Sequence, residues 1–183
     1  MAHRTHARRM GLGMIIVGID PGLSGAIVAL YDMGGLAKSM PMPLSKGKRK
    51  RPDVITLVRW IMSHDADVGL VAIETPGPSP RRTSVAATLS IGVGFGMLIG
   101  MCEVNHLPYE IVPATRWQGA LFGSGKRADK KGESIAYAKR RWPTLDLTPG
   151  KRTKPHDGIA DAACIAEYGR RLLIGNVARK EPA

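Results

Sequence analysis

The apolar and polar positions of the chain divide it into short alternating and periodic segments. Residues 14 to 19, MIIVGI, are an apolar, β-branched run stopped by the turn PGLSG, and AIVALYD follows. The two predict a buried strand and its hairpin partner. A third strand is expected over residues 35 to 41. The basic stretch PMPLSKGKRKRPD then predicts an exposed, mobile loop, and Asp53 at its end is placed to cap the helix VITLVRWIMSH. VGLVAIE, residues 68 to 74, reads as a fourth strand. Beyond the loop TPGPSPRRTS, the apolar segment from Val85 to about Asn105 is too long for a strand and predicts a helix. Gly92, Gly94, Gly96 and Gly100 lower its intrinsic propensity.

PYEIVPATRW gives a fifth strand stopped by Pro113 and then a short helix. GSGKRADKKGESIAYAKRRWP opens as a basic loop and becomes a helix from about Asp129 that Pro143 ends. KPHDGIADAACIAEYGRRLL carries an apolar stripe and predicts the last helix. The order is three strands, helix, strand, helix, strand and three helices, with no internal repeat. This is one α/β unit over residues 14–175, flanked by a basic tail at 1–13 and a short tail at 176–183.

Composition narrows the partners. With 183 residues, 44% of them hydrophobic, the chain can build one core. Its 27 Lys and Arg against 15 Asp and Glu leave a net charge of +12, which favours a polyanion, nucleic acid ahead of an anionic membrane. No run of about 18 or more apolar residues occurs, so no membrane span is expected. Cys102 and Cys164 lie in apolar segments without metal-ligand spacing and read as reduced core residues. A cytosolic or similarly reducing compartment follows. His3 and His6 belong to a loose terminus rather than to a metal site.

The candidate chemistry lies in four acids. Asp20 and Glu74 each end an apolar strand against a Pro and Gly turn. Asp157 and Asp161, four apart, share one face of the last helix, where like charges repel and call for a cation. If that helix packs over the strand ends, all four carboxylates meet. Oxygen donors without a His and Cys set suit Mg²⁺, with Mn²⁺ as a substitute. Two such ions can activate a water and stabilise the leaving oxygen in phosphodiester cleavage.

IDPGLSG, VAIE and HDGIADAACIA resemble, in order and spacing, the three acidic motifs of RuvC-type Holliday junction resolvases. The D-G-x-x-D-A form of the last is nearest to the phage and chloroplast branch. The likeness runs through VPATRWQGALFG and the Lys-rich helix after it, covering most of residues 14 to 174. It implies a ribonuclease H-like α/β fold, with a mixed five-stranded sheet and helices on both faces. It also implies a homodimeric, metal-dependent endonuclease that nicks a four-way DNA junction at paired, symmetric positions. Asp20, Glu74, Asp157 and Asp161 would be its catalytic metal ligands. Bacterial RuvC proteins space the last pair by three, with Asp or His first; here the spacing is four. His156 is read as a helix N-terminal residue near the DNA backbone rather than as a ligand.

Four basic groups are candidate DNA contacts: Lys46, Lys48, Arg49, Lys50 and Arg51; Arg81 and Arg82; Lys126, Arg127, Lys130 and Lys131; and Lys151, Arg152 and Lys154. By the same resemblance, Lys126, Lys130 and Lys131 would grip the scissile strand, and the loop from Thr75 to Ser84 would wedge into the branch point. Trp60 has core spacing, whereas Trp117 and Trp142 remain open to base stacking. Two rivals stand beside this reading. One is a nuclease of the same fold that cuts RNA:DNA hybrids or branched DNA broadly, and the other is a junction-binding protein that does not cut.

Overall fold

The structure is a computed structural model and describes residues 13–77, 84–123 and 130–175. Five strands, β1 (Ile15–Asp20), β2 (Ala26–Tyr31), β3 (Leu36–Pro41), β4 (Val68–Glu74) and β5 (Tyr109–Val112), form one sheet in the order β3-β2-β1-β4-β5. The first three are antiparallel neighbours, whereas β4 runs parallel to β1 and β5 parallel to β4, so the sheet is mixed. The helices are α1 (Val54–Met62), α2 (Val85–Val104), α3 (Ala114–Phe122), α4 (Lys130–Arg141) and α5 (Asp157–Leu173). The element order is the one the hydrophobic pattern predicts.

Strand alternation divides the core in two. Ile15, Val17 and Ile19 of β1 and Val71 and Ile73 of β4 pack with Leu57, Trp60 and Ile61 of α1 and with Leu98, Met101 and Cys102 of α2. The opposite face is covered chiefly by α5, flanked by α3 and α4. Asp53 caps α1 as expected, its carboxylate accepting from the Thr56 amide at 3.2 Å and the Thr56 hydroxyl at 2.8 Å.

Two glycines set how close α5 comes. A Cβ on Gly18 of β1 would run into the backbone of Ala162 and Ala166, and one on Gly158 would stand 2.7 Å from the Ser24 carbonyl oxygen. Any larger residue at either position would lift the helix off β1 and off the β1–β2 turn. The helix that carries two of the candidate acids is thereby held against the strand that carries a third.

Candidate active site

Asp20 and Glu74 are brought together by register. The parallel β1–β4 ladder ends on Ile19 paired with Ile73, so the next residue of each strand is an acid at the carboxyl edge of the sheet. Alternation puts both on the α5 side, in phase with Gly18 and Ala72 and out of phase with Ile19 and Ile73. Asp20 is oriented by its own turn, its Oδ1 accepting from the Gly22 amide at 3.0 Å. Asp161 faces the same edge from the second turn of α5 and is half-buried, as are Asp20 and Glu74.

Electrostatics shows that three of these acids sense one another. Glu74 is pushed up to about 8, first by burial, then by the charges of Asp20 and Asp161. The indole N–H of Trp117 pulls the other way, though it makes no hydrogen bond of ordinary geometry. Asp157 is not among the charges that raise Glu74. It occupies the first turn of α5, where the helix dipole favours an anion, and it acts on His156 instead. The structure therefore joins Asp20, Glu74 and Asp161, with Asp157 one turn away on the same helix.

Among the described residues, no three His, Cys, Asp or Glu side chains close into a cage around an ion. The donor set nevertheless suits a hard divalent cation. It is all carboxylate, and its mutual repulsion, seen in the raised Glu74, is what a cation would relieve. Asp20, Glu74 and Asp161, with Asp157, are the residues that would hold it.

The aromatic and sulfur residues fall into the core. Trp60, Trp117 and Trp142 are all buried, and the Trp142 indole donates to the Gly34 carbonyl at 3.0 Å, so neither Trp117 nor Trp142 is open to a nucleobase. Cys102 and Cys164 are free and buried, and burial pushes the Cys102 thiol up to about 12. His156 is also buried. Its Nδ1 accepts from the Ile159 amide at 3.3 Å as the N-cap of α5, which leaves its ring no surface to offer a DNA backbone. Burial and Arg152 hold it below the usual imidazole value, keeping it a neutral acceptor.

The basic groups divide by position. Lys46, Lys48, Arg49, Lys50 and Arg51 are all exposed on the loop before α1. That loop is closed at its base by a Leu44–Pro52 bridge and by the Asp53 amide on the Pro43 carbonyl at 2.8 Å, more structure than the expected mobile loop has. Lys50 borders a cavity that Asp20 and Glu74 also line. Lys151, Arg152 and Lys154 are exposed just ahead of α5. Lys130 and Lys131 open α4. Arg81, Arg82, Lys126 and Arg127 lie outside the described residues. The sequence reading missed that Lys50 lines one cavity with Asp20 and Glu74 and that Trp117 lies near Glu74. The first depends on a loop closure that no local pattern announces; the second had a signal, since Trp117 follows the strand next to the one that ends on Glu74.

No protein-family model and no curated protein matches the sequence. Solved structures do match. RuvC from T. thermophilus in complex with a Holliday junction substrate superposes with a TM-score of 0.61 at 15% identity, over 88% of this chain and 96% of that one. A second structure of Thermus thermophilus RuvC gives 0.60 at 19% identity, over 88% and 97%. The chain has the RuvC architecture, a ribonuclease H-like fold.

Proposed function

We propose that the chain is a homodimeric DNA endonuclease that resolves four-way junctions by paired symmetric nicks and depends on Mg²⁺ or Mn²⁺. The observation that carries this reading is the meeting of Asp20, Glu74 and Asp161 from three separate elements, where burial first and then the charges of the other two acids push Glu74 up to about 8, in a chain of net charge +12. The RuvC fold, on a protein whose solved complex holds a Holliday junction, points the same way.

In this reading, a divalent cation supplies charge neutralisation at the scissile phosphate and lowers the cost of ionising the attacking water. The chain supplies the rest. Asp20 is pre-set by the Gly22 amide, and Glu74 and Asp161 are carried by elements buried in the core, so the donors are in place before substrate arrives. The exposed cations before α1 and before α5 would bind phosphates and position the strand for in-line displacement, leaving 5′-phosphate and 3′-hydroxyl ends. A four-way junction has approximate two-fold symmetry, which a C₂ dimer matches. The outer side of α2, with Val85 86% and Leu89 66% exposed, offers an apolar surface for that contact.

The test compares a mobile four-way junction with duplex, Y-shaped and RNA:DNA hybrid controls, in Mg²⁺ or EDTA, using the wild type and Asp161→Asn. Paired nicks on the junction alone are expected. EDTA should abolish them, and the substitution should reduce them by roughly 10²–10³-fold or more while junction binding persists. Hybrid cutting would replace this reading with a broader nuclease, and binding without cutting at any metal concentration would replace it with a junction-binding protein.

A further inference from the structure

The fold shuts the indole N–H of Trp117 away from water and gives it no acceptor of ordinary hydrogen-bond geometry, the side chain being only 1% exposed. The Trp142 indole, equally deep in the core, donates to the Gly34 carbonyl. A buried donor without a partner is destabilising, so the placing of Trp117 calls for a reason.

Its position follows from the strand register. Glu74 pairs with Val112 at the end of the parallel β4–β5 ladder, and the Thr75 amide donates to the Val112 carbonyl at 2.9 Å, so the two strands leave the sheet edge side by side. Pro113 turns the chain directly into α3, its carbonyl accepting from the Arg116 amide at 2.9 Å, and Trp117 stands one turn into that helix. The ring packs in one buried cluster with Val112, Ile165 and Tyr168, and Phe122 meets it edge-on at a centroid distance of 6.0 Å. It is therefore held beside the strand end that carries Glu74, and among the described residues its N–H is the hydrogen-bond donor that acts on that acid.

The acids are not oriented alike. Asp20 accepts from the Gly22 amide, whereas Glu74 has no backbone amide of this kind among the described residues. A carboxylate that binds a metal through one oxygen is aimed by the donor its other oxygen meets, and such outer partners fix the ligand's direction. An indole suits that task because it donates and never accepts, so it cannot compete with the carboxylate for an ion. We infer that Trp117 is a positioning residue for the candidate metal centre, its N–H donating to the Glu74 carboxylate so that the rest of that group is left for a divalent cation. This rests on the metal-dependent reading above and deepens it, and it gives a role to a residue whose sequence context left it open to base stacking.

The experiment uses the full-length protein with ¹⁵N-labelled indoles. Its three tryptophans give three N–H signals, and Trp60→Phe and Trp142→Phe identify two of them, so Trp117 is assigned without being altered. On titration with Mg²⁺ the Trp117 signal should move downfield, as a charge-assisted hydrogen bond shortens, while the other two stay in place. Glu74→Ala should remove that response. Binding of Mn²⁺, read from the spin signal of the free ion, should weaken by about 10-fold or more in Trp117→Phe, which loses the N–H but keeps an aromatic ring. Phe122→Leu, which loosens the packing on the same ring and keeps the N–H, should lower Tm and leave Mn²⁺ affinity unchanged. If Trp117→Phe does not fold, the wild-type indole signal decides alone. A Trp117 signal unmoved at saturating Mg²⁺, full Mn²⁺ affinity in Trp117→Phe, or an equal loss in Phe122→Leu would overturn the role of Trp117 and leave the metal-dependent reading standing. A wild type that takes up neither ion, alone or with a junction bound, would overturn both.

Discussion

Helices α2 and α5 lie on opposite sides of the same sheet and are both rich in small apolar residues, yet they use them differently. Twelve of the 17 residues of α5 are buried, against four of the 20 in α2. Because α5 is fixed along its length, the acids of its first two turns inherit the rigidity of the core. α2 joins the core through Leu98, Met101 and Cys102 and lines the cavity through Ala87 and Ile91. Its remaining stripe, with Val85, Leu89, Gly92, Gly96, Gly100 and Val104 at helical spacing, faces away. A Cβ at any of those three glycines would meet nothing within 4 Å. Apolar composition thus marks the interior in one helix and an unpartnered surface in the other.

One substitution made in both helices tests that difference with the largest expected effect. Ala163 is fully buried. Ala163→Asp places an unpaired charge in the core and should cost about 4–5 kcal/mol or more, leaving little folded protein. Leu89→Asp should change the stability of a protomer by only ~0.5 kcal/mol. It should convert a dimer to monomers in sedimentation and remove the concentration dependence of Tm. An unfolded Leu89→Asp protein would place the outer stripe of α2 in the core after all, and an unchanged dimer would move the interface elsewhere.

How much of this was legible beforehand follows from the same two helices. Local pattern was sufficient for every strand, for the Asp53 cap and for the placing of Asp20 and Glu74 at strand ends, because these are properties of short segments. The α2 helix was legible as a helix, but its two surfaces were not. Its apolar residues surround it, and only the path of the chain decides which of them meet the sheet. Three-dimensional closure also decided that Lys50 lines the same cavity as Asp20 and Glu74, that Trp117 and Trp142 are buried and that His156 serves as a cap. The buried cluster around Glu167 was invisible for the same reason. An acid within a helical apolar stretch looks like a surface residue until Arg170 and Arg171 fold back on it, at 2.8 and 3.0 Å.

That cluster sharpens the comparison from the far end of α5. Burial raises Glu167, but hydrogen bonds from Arg170 and Arg171 outweigh it and hold the carboxyl below the usual range. Arg171 also donates to the Tyr137 hydroxyl at 3.1 Å and Arg170 to the Asp32 carbonyl at 3.1 Å, so the acid ties α5 to α4 and to the β2–β3 turn. Glu167→Gln should cost about 3 kcal/mol in thermal or urea unfolding. A folded-state value below the unfolded one contributes stability that is present above pH 4.5 and lost as the pH falls through the folded value. The gap between wild type and Glu167→Gln should therefore close in acid. A gap that stayed constant down to pH 2 would assign the loss to packing rather than to ionisation.

Where α5 meets the strand ends, the sign reverses. Glu74, raised from 4.5 to about 8, contributes stability that is fully present below pH 4.5 and is lost as the pH rises through 8, where its charge must coexist with Asp20 and Asp161. Glu74→Gln removes that repulsion while keeping the shape of the side chain. In EDTA at pH 8.5 to 9 the variant should melt above the wild type, by about 2–4 °C for each kcal/mol relieved. At pH 5, where the wild-type carboxyl is already protonated, the two should melt together. Mg²⁺ should raise the wild-type Tm at high pH and move that of the variant less, while junction cleavage by the variant collapses. A residue that makes the protein less stable when ionised and inactive when replaced belongs to a site built for a ligand. If the variant melted below the wild type at pH 9, Glu74 would be a structural acid like Glu167, and the two ends of α5 would no longer differ in kind.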